Sequence, residues 1–120
     1  MDDTKSEIER LRYHVKLLGE AVDSQEHPLT SLVVHLNWKE ADLDAAHDIF
    51  EEFDQKMESD ASVNWSDLER RLKDRFDIGY QTVKSIVLAF YRNHQWSGVC
   101  RKYAMAHQCT EFHEIIQPNR

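Results

Sequence analysis

The chain has 120 residues and a formal net charge of −7, with 41% hydrophobic and 31% charged residues. This composition is typical of a folded, helix-rich domain and excludes a disordered segment, while the excess of acids argues against general binding of nucleic acids. No apolar run is long enough for a membrane span, and Met1-Asp2-Asp3 does not resemble a secretory signal, so we expect one cytoplasmic domain over residues 1–120.

The first predicted helix carries apolar residues at alternating steps of three and four, the spacing of a helix that packs against a facing helix. These residues are Ile8, Leu11, Val15, Leu18 and Val22. The pattern predicts a helix from residue 7 to about 23, with Thr4 as its N-cap in a capping box with Glu7. We predict that the five residues form an oligomer interface, with packing inside a single-chain bundle as the alternative. Tyr13, Leu17 and Ala21 add a second apolar stripe.

Cap and turn signals predict four more helices along the middle of the chain. Pro28 suits the first position of a helix over 28–36, Asn37 begins a cap signal for a helix over 37–57, and Asn64 caps a helix over 64–76. A turn at 77–79 leads into a helix over 80–92. The residues predicted to face the core are Ala46, Ile49, Phe50, Phe53, Met57, Trp65, Leu68, Leu72, Phe76, Val83, Ile86, Val87 and Phe90.

A sixth helix is predicted over residues 96–112, followed by a tail over 113–120 that we expect to be frayed. Trp38, Trp65 and Trp96 stand at helix starts, where we expect them to anchor the chain in the core. No segment alternates with a period of two, so we expect no sheet. The sequence therefore predicts an all-α bundle of five or six helices.

Two segments resemble the YhaI-like family of small bacterial proteins. The residues that carry the resemblance are Ile8-Glu9-Arg10-Leu11-Arg12-Tyr13 with Leu17-Leu18, and Ala89-Phe90-Tyr91 followed by Trp96, Val99 and Tyr103. The resemblance spans roughly residues 7 to 107. It implies an all-helical, intertwined homo-oligomer with no assigned activity and no catalytic residues to carry over. The high histidine count and the tail after His107 depart from it.

Seven histidines and two cysteines suggest a metal site, with Cys100, His107, Cys109 and His113 as the candidate ligands. On one continuous helix, Cys109 and His113 share one face and Cys100 and His107 the other, so four ligands cannot converge on a zinc ion. We therefore expect no metal and no cofactor, and two free thiols of a reducing compartment.

Nucleic-acid binding is the alternative function, because residues 70–92 fit a helix-turn-helix pattern in part. The candidate contacts are Arg70, Arg71, Lys73, Arg75, Tyr80, Gln81, Lys84 and Arg92. Lys73 stands where the motif requires a small residue, and Gly79 comes two residues after the expected turn position. Helical hairpins produce the same apolar spacing through core packing alone.

The sequence contains no nucleophile elbow, phosphate-binding glycine loop or HExxH pair. Nine acids between residues 40 and 60 give the third helix an acidic outer face, which we interpret as a solvated surface rather than a mimic of a polyanion. We therefore expect a non-enzymatic homo-oligomer that acts in protein interaction or regulation.

Overall fold

Helices form all of the regular secondary structure in residues 2–59 and 62–116, the part of the chain that this computed structural model describes. These residues contain α1 (Asp2–Ala21), α2 (Pro28–His35), α3 (Glu40–Glu58), α4 (Trp65–Phe76), α5 (Tyr80–Arg92), α6 (Ser97–Ala106), a 3-10 helix (Thr110–Phe112) and α7 (His113–Ile116). The predicted all-α class is confirmed, although seven α-helices exceed the predicted five or six. None of the described helices is long and apolar enough to cross a membrane.

The hydrophobic core surrounds α5, which packs against α2, α4 and α6. Its residues Val83, Ile86, Val87 and Phe90 are fully buried because steps of three and four place them on one face. The Phe90 ring centroid lies 4.6 Å from that of Phe50 on α3. The core-facing residues predicted for α3, α4 and α5 are confirmed as buried or partly buried members of this core.

Of the four residues predicted to begin or cap a helix, Pro28 and Asn64 are correct. Pro28 is the first residue of α2, and the Asn64 side chain accepts a hydrogen bond of 3.0 Å from the Ser66 N–H at the start of α4. Asn37 does not cap α3. It has a left-handed φ of 55° just beyond α2, a conformation that asparagine tolerates, and the carboxylate of Asp42 accepts a bond of 2.9 Å from the N–H of Lys39, the actual N-cap.

The predicted cap at Thr4 is also wrong. The helix α1 already includes residue 2, so Thr4 lies within its first turn and not at the N-cap. The carboxylate of Asp3 lies in this turn, where the helix dipole favours a negative charge. The helix therefore begins before the predicted capping box.

The predicted sixth helix ends six residues early, at Ala106. The backbone is extended at Cys109, with φ −125° and ψ 165°, before the 3-10 helix begins. This break brings the Phe112 ring edge-on to Tyr103, with centroids 5.7 Å apart, and buries Phe112 and Ile115 completely. Burial of such side chains contributes about 1.5–3 kcal/mol each, which outweighs continuing a helix. Residues 113–116 of the predicted tail form α7, and 117–120 lie outside the described residues.

Each tryptophan contacts another helix near the start of its own. Trp38 stacks on Phe76 at 4.6 Å, and the centroids of Trp65 and Phe53 are 6.0 Å apart. The indole N–H of Trp96 donates a hydrogen bond of 3.0 Å to His47 on α3. The predicted anchoring role of the three tryptophans is confirmed.

The helix α1 extends away from the body formed by α2 to α7. The molecule measures 58 × 31 × 21 Å, and its radius of gyration of 16.8 Å exceeds the roughly 14 Å of a compact domain of this length. Contact with the body is concentrated on α2, where a Cβ at Gly19 would lie 3.0 Å from Val34 Cγ1. Glycine thus permits the close approach of α1 to α2, and the rest of α1 extends into solvent.

Candidate interaction surface

The apolar residues of α1 that the spacing singles out are exposed along most of the helix. We call Ile8, Leu11, Val15, Leu18 and Val22 the α1 seam. Four of them are between 46% and 67% exposed, and Val22, beside the body, is half-buried. Helical rotation of 100° per residue places the first four within one narrow stripe. Val22 lies one residue beyond Ala21, where α1 ends, so the predicted helix to about residue 23 is too long. The chain therefore presents a continuous apolar stripe that its own core leaves uncovered.

A second apolar pair lies on the other side of α1. Tyr13 is 60% exposed and Leu17 is 44% exposed. Their helical positions lie roughly opposite the α1 seam. The seam and this exposed pair therefore form two separate apolar surfaces on one helix.

Polar interactions do not tie α1 to the body. Among the described residues, no side-chain hydrogen bond or ion pair joins α1 to another helix, although it contains Lys5, Arg10, Arg12 and Lys16. The position of α1 rests on its contact with α2 around Gly19 and Val34. Its charged residues are therefore available to a partner.

The basic residues predicted to contact nucleic acid are paired with carboxylates instead. Six such pairs form: Arg70–Asp67, Arg71–Glu52, Lys73–Glu69, Arg75–Asp42, Lys84–Glu111 and Arg92–Glu114. Basic side chains bind nucleic acid by neutralising its phosphates, which releases the counterions that the phosphates hold. In this hairpin, an internal carboxylate competes with phosphate for each of these cations. A phosphate would therefore have to displace a carboxylate at each of these cations, and nucleic-acid binding stays a prediction.

Lys84 does not lie on the exposed face where a recognition helix would need it. Its side chain is 8% exposed, its Nζ is 2.9 Å from a Glu111 carboxylate oxygen, and it lies 4.6 Å from the centre of the Tyr80 ring. Tyr80 is half-buried, and Gln81 is exposed at the start of α5. The 3-10 helix places Glu111 over α5, so Lys84 fixes the C-terminal segment to the core.

The ion pairs make the stability of the fold depend on pH in a predictable way. The hydrogen bond from Lys84 lowers the pKa of Glu111, and the hydrogen bond from Arg71 lowers the pKa of Glu52. A carboxyl with a lowered folded pKa stabilises the fold above its unfolded value, near 4.5, and this contribution is lost as pH falls through the folded value. We expect the urea midpoint to hold steady from pH 7 to about 5 and to fall below about 4.5.

Substitutions at the Lys84–Glu111 pair distinguish the contribution of its charges to stability from that of its side-chain packing. We expect Glu111→Gln to lower the urea midpoint at pH 7 more than Lys84→Met does, because the amide leaves a buried ammonium without its charged partner. The double variant Lys84→Met/Glu111→Gln should recover part of this loss. Midpoints at pH 7 that equal that of the wild type in all three variants would show that the pair has no structural role.

The candidate metal ligands do not converge. Cys100 is fully buried on α6, where burial raises the pKa of its thiol to about 12 and its Sγ lies 3.5 Å from the Val87 carbonyl oxygen. Cys109 precedes the 3-10 helix and His113 begins α7, so the predicted shared helix with Cys100 is wrong. Both cysteines are free, and no group of three potential metal ligands forms among the described residues.

Two features of the surface were not predicted from the sequence. Glu111 and Glu114 are the partners of Lys84 and Arg92, and a spacing of more than twenty residues between partners leaves no local signal. Val34, 43% exposed on α2, lies against Gly19 and extends the apolar surface at the base of the α1 seam.

The fold defines a small all-α protein in which an apolar N-terminal helix extends from a helical body. The chain belongs to the family described as "Protein of unknown function (DUF1878)", whose model matches residues 1–93. This match includes α1 to α5 and ends before α6. No curated protein and no solved structure matches the chain. The expectation of a family without an assigned activity is confirmed.

Proposed function

We propose that this protein is a non-enzymatic, homo-oligomeric interaction module in which α1 supplies the contact between copies. The observation that carries this proposal is the α1 seam, where Ile8, Leu11, Val15 and Leu18 are about half exposed or more on a helix that extends into solvent. Contiguous apolar surface of this kind marks interaction sites in folded proteins. The seam also has the spacing that a facing helix requires.

Burial of the seam contributes to association. Covering the exposed half of an aliphatic side chain contributes about 1 kcal/mol, so four residues on each of two copies contribute about 8 kcal/mol. This gain is of the same order as the cost of association in lost translational and rotational freedom, about 4 to 15 kcal/mol. We therefore expect an association that responds to protein concentration.

A second copy of this chain is the occupant that the charges of α1 favour. The charged residues beside the seam are separated by sign, with Lys5 and Arg12 on one flank and Glu7 on the other. The same helix thus carries both partners of an ion pair, which makes its surface complementary to itself. A strongly acidic or basic partner would meet like charges on one flank.

We place the assembly in the cytoplasm and among the YhaI-like bacterial proteins. The two free cysteines support a reducing compartment, because exposed or half-buried thiols oxidise readily elsewhere. The motif residues Ile8 to Tyr13 and Ala89 to Tyr91 support the relationship to that group. They lie on α1 and on the central helix α5, so they include both the proposed contact and the core.

The proposal is tested by thermal unfolding over a hundredfold range of protein concentration. An oligomer gains stability by mass action, so we expect the Tm of the wild type to rise with concentration. The variant Leu11→Asp/Leu18→Asp should unfold at a constant Tm over the same range. A wild-type Tm that does not depend on concentration would contradict the proposed association.

A further inference from the structure

The segment that follows α6 encloses one polar atom of the core. The ring of Tyr103 stacks on His107, with centroids 4.2 Å apart, and packs edge-on against Phe112. Cys109 lies between these two residues in the chain, and its carbonyl oxygen accepts a hydrogen bond of 3.0 Å from the Phe112 N–H. Residues 107–112 therefore fold over the Tyr103 side chain and hold Cys109 close to it.

The hydroxyl group of Tyr103 is buried without a hydrogen-bond partner. The side chain is fully buried, and no group in the described part of the chain pairs with its hydroxyl oxygen. Burial raises the pKa of this hydroxyl, and the neighbouring Glu69, Tyr80 and Cys109 raise it further. A buried hydroxyl that lacks a partner destabilises the fold, so a group that supplies an acceptor at this point is favoured.

The two cysteines of the chain differ in their accessibility. Cys100 is fully buried, and burial raises the pKa of its thiol to about 12. Cys109 is half-buried at the edge of the core, with part of its surface in contact with solvent. An oxidant must reach the sulfur and attacks it most readily as the thiolate, so Cys109 is the cysteine that is open to oxidation.

Charged groups of α5 and the 3-10 helix lie beside Cys109. Lys84 Nζ is 2.9 Å from a Glu111 carboxylate oxygen and 4.6 Å from the centre of the Tyr80 ring. The hydrogen bond from Lys84 lowers the pKa of Glu111, and an interaction with the Cys109 thiol lowers it further. A cation beside a thiol favours the thiolate. This cluster therefore contains a positive charge that favours the thiolate and a carboxylate that accepts a bond from the thiol.

We propose that Cys109 is a site of reversible oxidation by hydrogen peroxide, at which the Tyr103 hydroxyl donates a hydrogen bond to the oxygen of the resulting sulfenic acid. The Cys109 sulfur attacks one peroxide oxygen, an S–O bond forms and the O–O bond breaks. The thiol proton leaves with the departing hydroxide as water, and the sulfur loses the two electrons that reduce the peroxide. The new oxygen is the acceptor that the Tyr103 hydroxyl lacks.

The sulfenic acid persists because no second thiol of the same chain reaches it. A sulfenic acid condenses with a neighbouring thiol to form a disulfide. Cys100 is the other cysteine of the chain, and its Sγ lies 3.5 Å from the Val87 carbonyl oxygen inside the core. A small thiol such as glutathione restores the original cysteine, first by forming a mixed disulfide and then by reducing it.

Trapping with dimedone, which reacts with sulfenic acids, tests the site. We expect brief treatment of the folded protein with peroxide to place roughly tenfold more adduct on Cys109 than on Cys100, as measured by peptide mass spectrometry. Unfolding in urea should abolish this difference, because burial causes it. Absence of the adduct from Cys109, or equal adducts on both cysteines of the folded protein, would overturn the proposal. Conversion of Cys109 into a disulfide between two copies, without a trapped adduct, would also overturn it.

The variant Tyr103→Phe tests the role of the hydroxyl. It removes one unpaired buried oxygen and retains the ring, so we expect the reduced variant to be folded and at least as stable as the wild type. Without this donor, its sulfenic acid should be oxidised further to sulfinic acid roughly threefold faster. The control is Tyr13→Phe on the exposed helix α1, which should match the wild type. Equal rates for Tyr103→Phe and the wild type would overturn the hydrogen bond to the sulfenic oxygen.

Discussion

Replacement of Phe90 by alanine is expected to lower the free energy of unfolding by about 3–5 kcal/mol. Phe90 is fully buried on the central helix α5, and its ring lies 4.6 Å from Phe50 and 5.0 Å from His47, measured between centroids. Truncation would leave a cavity between α3 and α5 that neither helix can close without disturbing the other contacts of α5.

Urea unfolding followed by circular dichroism measures this loss. The matched control is Leu17→Ala, which removes an exposed apolar side chain from α1 and should change stability by no more than about 0.5 kcal/mol. A loss at Phe90 as small as the loss at Leu17 would show that α5 is not the centre of the core.

The variant Leu11→Asp/Leu18→Asp is expected to change the assembly without unfolding the chain. Both side chains are more than 60% exposed in the single chain, so aspartates there meet water and not core. In the proposed assembly the same positions lie at the contact between copies, where buried carboxylates would oppose association by several kcal/mol. We therefore expect a folded monomer, measured by sedimentation velocity together with the helical signal in circular dichroism.

The control for this variant is Tyr13→Asp/Leu17→Asp. It introduces the same two charges into α1 and also replaces exposed apolar residues, but on the side of the helix away from the seam. We expect it to remain associated like the wild type. Dissociation of both variants would assign the contact to α1 in general, and loss of the helical signal in Leu11→Asp/Leu18→Asp would show that the seam packs inside its own chain.

Local signals predicted most of the helices correctly. The turn at 77–79 and the apolar spacing that follows predicted α5 over residues 80–92, and Asn64 and Pro28 predicted two helix starts, because these signals act within a few residues. The break after Ala106 has no glycine or proline to announce it. It depends on the space that the core offers to Phe112 and Ile115, which periodicity along one helix does not describe.

The sequence predicted which residues form the candidate surface, but it did not predict whether another helix of the chain covers them. The spacing of Leu11 and Leu18 predicted an apolar stripe, yet a stripe of this kind is equally suited to a neighbouring helix of the same chain. In the structure of the single chain, the side chains of this stripe from Ile8 to Leu18 are exposed. The same reasoning applies to Lys84, whose charge suggested a surface role until Glu111, 27 residues later, was found beside it.

The absolute mass of the wild-type protein in solution, measured by light scattering over a range of concentrations, tests the central claim most directly. We predict that the mass rises to a whole multiple of the mass of one chain as concentration rises through the micromolar range. A mass equal to one chain at every concentration, with the helical signal intact, would contradict the claim that α1 joins copies of the chain.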